Sequence, residues 1–204
     1  MDTFELKREQ ARLARRIILR DAISTPNTIG AVECIQQGDN LLAAVVVCNY
    51  PSMDVVEKKV AILPSPLPYK LGFVGFREMP AIMDAYDMLE EEPDILLVKG
   101  LGINHPRRFG VASHIGLSLN VPTIAVNDSL CFGSVENGKI MLHSEIVGFE
   151  ITTREHSKPI YVSPGHKVSL GTVLNIIPSL IQYPHKMPEP MHIARKVGKK
   201  KVKG

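Results

Sequence analysis

The stretch PDILLVKGLGINHPRRFGVASHIGLSLNVPTIAVND, residues 93–128, decides the fold class. Two short apolar runs, Ile95–Val98 and Thr123–Val126, read as buried strands. Between them Phe109–Leu119 has helical spacing, and Pro93 ends whatever helix precedes the first strand. A strand, a helix and a second strand in this order require parallel pairing through a right-handed crossover. The loops that follow such strands, here beginning at Lys99 and Asp128, open at the carboxyl edge of the sheet. In open α/β sheets that edge is where ligands sit.

Working outward toward the N-terminus, Phe76–Glu92 again shows helical spacing through Ile82, Ala85, Tyr86 and Leu89. Before it lies PSPLPYKLGF, residues 64–73, too rich in proline for regular structure. Three strands are predicted earlier, over Thr28–Ile35, Leu41–Tyr50 and Val55–Leu63. The turn Gln37-Gly38-Asp39-Asn40 joins the first two, so these strands read as an antiparallel meander. An amphipathic helix is predicted over residues 4–20, with Phe4, Ala11, Ala14 and Ile18 on one face. Toward the C-terminus, Asn137-Gly138 marks a hairpin between Ser134–Val135 and a strand near Glu145–Thr152. Ile160–Ser163 reads as a short strand and Ser169–Leu180 as a helix capped by Ser169. The expectation is an α/β protein with one mixed sheet, antiparallel meander plus parallel strands, flanked by helices.

At 204 residues and 45% hydrophobic content the chain suits one domain with a full core. Three cysteines, Cys34, Cys48 and Cys131, are an odd count that argues against a disulfide framework and for a reducing compartment. The first residues, MDTFELKREQ, are charged and lack the apolar centre of a signal peptide. No apolar run approaches the roughly 18–20 residues a bilayer span requires. A soluble cytoplasmic protein with no membrane partner is therefore expected. The net charge of +3 is uneven, because residues 195–204, RKVGKKKVKG, concentrate lysine and arginine without an acid. Residues 1–194 are read as the folded domain and 195–204 as a disordered basic tail, either a solvated terminus or a run that touches phosphates.

Polar residues gather where strands end and helices begin. Glu33 lies in an otherwise apolar strand, where a charge is costly unless paired or coordinated. Its partner is then a cation such as Lys99 or a divalent metal ion; hard ions such as Mg²⁺ take carboxylate oxygens with waters completing the shell. Glu78 opens a helix, Lys99 and Asp128 follow strands, and His105, Arg107 and Arg108 occupy the loop after Lys99. His166 follows Ser163-Pro164-Gly165. His143, His156, His185 and His192 show no ligand spacing and are expected to face solvent. There is no dinucleotide or nucleotide phosphate loop, no paired-cysteine zinc motif and no nucleophile elbow.

HPRRFGVASHIG at 105–116 resembles the His-Pro-Arg-x-x-Gly-x-Ala-x-x-x-Gly signature of the endonuclease V family. GFREMP (75–80), VPTIAV (121–126), SPGH (163–166) and MPEP (187–190) resemble further blocks of that family, in its order. The resemblance covers roughly residues 28–195. It implies a ribonuclease H-like fold and a metal-dependent endonuclease, with Mg²⁺ or Mn²⁺ as cofactor. The substrate implied is DNA or RNA carrying a deaminated base, chiefly inosine, cut near that base in the service of repair. By the same resemblance Glu33 stands where the family bears a metal-binding Asp, and Glu78 matches its helix-opening Glu. His105 and Arg107 match the His-Pro-Arg loop, and Pro68-Tyr69 matches a wedge whose Tyr stacks where a base is displaced. His166 matches a metal or phosphate contact. Lys99 stands where the family has a metal-binding Asp, and Asp128 where it has a Lys. Catalytic roles are thus expected for Glu78, Lys99 and His166, nucleic-acid contacts for Tyr69, Pro68, His105 and Arg107, and metal contacts for Glu33 and Asp128. The exchange at Lys99 and Asp128 leaves open a permuted or weakened nuclease, or a nucleic-acid-binding module in which the Lys99 ammonium replaces a metal.

Overall fold

The structure, a computed structural model, describes residues 2–203. Helix α1 (Thr3–Ala14) leads into three long strands, β1 (Thr28–Gln37), β2 (Asn40–Asn49) and β3 (Val55–Pro64). Then come α2 (Val74–Tyr86), β4 (Ile95–Lys99), α3 (Val111–Leu119) and β5 (Thr123–Asn127). Strands β6 (Ser134–Glu136), β7 (Lys139–Leu142), β8 (Glu145–Ile151) and β9 (Ile160–His166) precede α4 (Leu170–Ser179) and α5 (Glu189–Lys203). All nine strands join one sheet in the order β3-β2-β1-β4-β5-β9-β8-β7-β6. Among the described residues only β1–β4 and β4–β5 pair in parallel; the flanking pairs are antiparallel.

The sheet divides two cores, because successive side chains of a strand point to opposite faces. Val32, Leu96 and Val98 pack with Ile82 of α2 and Ile115 of α3. Ile29, Ala31, Leu97 and Val126 pack on the other face with Val173 of α4 and Met191 of α5. Strand β2, buried from Leu41 to Cys48, is covered on both faces. That is why its sequence shows a continuous apolar run rather than alternation.

Four expectations need correction. The N-terminal helix stops at Ala14; Ile17, beyond it, packs against Ile103, Ile140 and Val147, while Ile18 and Leu19 are exposed. The helix before β4 ends at Tyr86, with turn residues between it and Pro93. An additional strand, β7, forms the second arm of the Asn137-Gly138 hairpin. The basic run over 195–203, expected to be a disordered tail, instead continues α5 through Lys203; Gly204 lies outside the described residues. Met191 and Ala194 are buried at helical spacing and anchor α5 on the sheet. One turn later Gly198 lies so close to β1 that an added Cβ would meet Ile35 Cδ1 at 2.7 Å. The lysines project from the opposite side of this stripe, and their charge hides it in the sequence.

Candidate functional site

The parallel strands run the same way, so β1, β4 and β5 bring their carboxyl ends together. The register pairs Val32 with Val98 and Lys99 with Val126. Glu33, Lys99 and Asp128 therefore follow in neighbouring positions along one edge. Lys99 Nζ lies 2.8 Å from Asp128 Oδ2. The ammonium has no directed hydrogen-bond partner among the described residues, so this contact is an ion pair by distance. The close approach of the Lys99 ammonium holds the Asp128 carboxyl below its ordinary range.

Glu33 is largely buried, with Arg195 Nε 3.8 Å from its Oε1. Burial pushes its carboxyl up, while Arg195 and Lys99 pull it back. Glu78, on the first turns of α2, is half-buried. Burial pushes its carboxyl up to about 7, opposed by Arg77 and the Cys34 thiol and reinforced by Glu33. Both carboxyls are thus poorly hydrated, and the charge of Glu33 disfavours that of Glu78.

Two cavities meet at this edge, and Lys99 lines both. The first, about 230 Å³, is walled by Tyr69, Gly75, Glu78, His105, His114 and Asn127. Its size suits one planar heterocycle rather than a drug-sized ligand. The second, about 270 Å³, is walled by Glu33, His185, His192 and Arg195. A larger hollow of about 730 Å³ follows the outer side of α1 and includes none of the edge residues. The chemistry therefore belongs to the two smaller cavities.

The proline-rich loop over the first cavity is tied down from below. Arg77 donates to the Leu67 carbonyl and to the Gln36 side-chain oxygen. Gln10 of α1 donates to the carbonyls of Gly72 and Phe109. Tyr69 is left 66% exposed at the rim, and Pro68 beside it is also exposed.

His105 and Arg107 are held by the protein itself. The His105 ring is buried, with Nε2 3.0 Å from the Gly72 carbonyl and Nδ1 accepting from the Arg107 backbone N–H. That fixes a neutral tautomer, and burial holds its pKa down at about 4. Arg107 donates to Gln10 and Gly72 and lies over the Phe73 ring. Both residues brace the cavity wall.

His166 lies at the other end of β5. Strand β9 runs antiparallel to β5 and pairs His166 with Thr123, the first residue of β5. Four strand steps of about 3.3 Å, roughly 13 Å in all, separate that end from Asn127. His166 is buried there and its Nδ1 accepts from Ile18 N–H, so it stands apart from Glu33 and Lys99. Strand direction, invisible in a local motif, moves it to the other edge.

Three site residues escaped the sequence reading. Arg195 was grouped with the tail, although the MPEP block at 187–190 signals an ordered helix start. His185 and His192, expected in solvent, stack with ring centroids 3.4 Å apart beside Glu33. Their seven-residue spacing matches no familiar ligand pattern.

The family model for endonuclease V matches residues 11–196 of the chain. A curated endonuclease V of Trichormus variabilis is 38% identical over 199 residues, covering 92% of this chain and 90% of the relative. The crystal structure of endonuclease V from Streptomyces avermitilis superposes with TM-score 0.91 at 29% identity, covering 99% of this chain and 93% of that one. An endonuclease V of Ciona intestinalis, solved with a 23mer DNA containing an inosine followed by a ribo-adenosine, gives TM-score 0.89 at 27% identity, covering 98% and 96%.

Proposed function

This chain belongs to the endonuclease V family, and on that premise we propose that it binds a nucleic-acid strand carrying a deaminated base, chiefly inosine, and hydrolyses a phosphodiester near that base. The supporting observation is the convergence of Glu33, Glu78, Lys99 and Asp128 beside a cavity sized for one base. Tyr69 at the rim is placed to stack where the base leaves its neighbours. The solved Ciona relative, with its inosine-containing DNA, supports the same substrate class.

Family membership implies a divalent metal cofactor. No three acidic, histidine or cysteine side chains among the described residues form a metal-holding group. Asp128 is paired with Lys99, which leaves Glu33 and Glu78, both pushed up by burial, as the oxygen donors of the edge. Mg²⁺ is commonly held by one or two carboxylates together with waters and substrate phosphates. The donor set therefore suits a single Mg²⁺ or Mn²⁺ held by Glu33 and Glu78 once a strand is bound. Such an ion would supply an activated water and charge stabilisation at the phosphate. Lys99 would then face the phosphate oxygens, and Asp128 holds Lys99 in place.

No helix among the described residues is long and apolar enough to cross a membrane, and the free thiols of Cys34, Cys48 and Cys131 support a reducing, cytoplasmic setting.

The test pairs an inosine-containing strand with its adenosine twin under a series of divalent ions. The expected result is nicking of the inosine strand alone, slow and abolished by chelator. Equal cleavage with and without chelator, or no preference for inosine, overturns the proposal. A second reading, a strand binder that does not cut, is favoured by the ammonium of Lys99 at a metal-side position. It predicts inosine-selective retention without nicking in any divalent ion.

A further inference from the structure

Two positive side chains, Lys99 and Arg195, stand at the edge. Lys99 separates the two cavities and lines both. Its nitrogen is covered by the protein and, 2.8 Å from Asp128 Oδ2, makes no directed hydrogen bond, so an entering phosphate oxygen competes with the Asp128 carboxylate alone. Arg195 stands on the wall of the second cavity, its side chain 49% exposed. Its approach to Glu33, 3.8 Å through Nε, is too long for a hydrogen bond. The guanidinium fork is thus available to a ligand. Its mount is rigid, because the preceding residue, Ala194, is fully buried against the sheet.

We propose that Arg195 and Lys99 together bind a backbone phosphate of the strand directly, so that strand binding does not depend on a divalent ion. This deepens, and rests on, the reading of the site as one for nucleic acid. A guanidinium meets phosphate oxygens with two parallel N–H donors, while an ammonium acts as a compact point charge. The two fixed cations offset two of the three carboxylate charges of Glu33, Glu78 and Asp128. A phosphate entering this edge meets little of the repulsion that three unbalanced carboxylates would impose. The division of labour is physical: phosphate is held by side chains always present, and hydrolysis alone awaits the ion. Arg195 becomes a nucleic-acid-binding residue.

Fluorescence anisotropy of the full chain with a labelled inosine-containing single strand, and with its adenosine twin, tests this. Each is measured in chelator and in millimolar Mg²⁺. The inosine strand is expected to bind with the same affinity in both, within about twofold. Arg195→Gln and Lys99→Met, chosen to preserve bulk, should each weaken binding by on the order of tenfold. Each should also lower the salt slope of the affinity by roughly 0.7, as the loss of one phosphate contact on a single strand requires. Arg195→Lys should recover part of the loss. Circular dichroism melting confirms that the variants fold. Binding abolished by chelator, with inosine preference intact in Mg²⁺, overturns this inference and leaves the substrate reading standing. Weaker binding with an unchanged salt slope also overturns it, since that outcome assigns the two residues a structural role. Equal affinity for inosine and adenosine strands in every condition overturns the substrate reading itself.

Discussion

Exchanging two charges, through Lys99→Asp together with Asp128→Lys, perturbs the edge while conserving its total charge. The two side chains touch at 2.8 Å. At that separation Coulomb attraction is about 1.5 kcal/mol in bulk water and about 6 kcal/mol at the effective dielectric of a protein surface. The Asp128 side chain is 51% exposed and that of Lys99 23%, so solvent screening draws the figure toward the lower limit. We expect a coupling energy of about 1–2 kcal/mol. Lys99→Asp alone sets a new carboxylate near Glu33 and Asp128 and should destabilise by at least this amount. Asp128→Lys alone sets two ammonium groups together. The double variant restores the attraction and should be more stable than the sum of the singles predicts. Urea unfolding of the four proteins measures this cycle. The double variant also places a third carboxylate beside Glu33 and Glu78, so Mg²⁺ should raise its melting temperature more than that of the parent chain. If the two single changes add to within about 0.5 kcal/mol, the positions are uncoupled and the electrostatic account of the edge is wrong.

Other outcomes follow from the same geometry. Burial holds both His105 and His114 neutral, with pKa values near 4. The unfolded chain binds these protons more readily, so their stabilisation is complete above about pH 6.5 and falls as pH drops toward 4, by roughly 3 kcal/mol for each histidine. His114→Gln should flatten the dependence of urea stability between these limits, and an unchanged slope would contradict the assignment. At Gly75 an added Cβ would stand 2.9 Å from His114 Nδ1. Gly75→Ala should therefore cost about 1–3 kcal/mol and weaken inosine-strand binding by narrowing the first cavity; full affinity would show that the base does not enter there. Tyr69→Ala should weaken binding roughly fivefold to a hundredfold through lost stacking, with little change in melting temperature because the ring is exposed. Tyr69→Phe should bind almost as the parent does.

Much of this molecule was legible along the chain. The apolar runs at Ile95–Val98 and Thr123–Val126, and the helical spacing between them, predicted the parallel centre. A strand buried on both faces, such as β2, announces itself by an unbroken apolar run. Because parallel strands end on one side, the meeting of Glu33, Lys99 and Asp128 also followed from local signals. Periodicity, turn chemistry and strand-end position are properties of near neighbours in sequence, and neighbours suffice to read them.

What could not be read depends on contacts between distant segments. The placement of His166 follows from β9 running against β5, a choice of direction that no residue near His166 records. The bracing of His105 needs the Gly72 carbonyl from another loop. Arg195 reaches Glu33 only because Met191, Ala194 and Gly198 give α5 a narrow apolar seam, which the surrounding lysines conceal. Local pattern sets which elements form and where their ends fall. The partners of each charge were set by packing across the sheet, because Coulomb energy depends on separation in space and not along the chain.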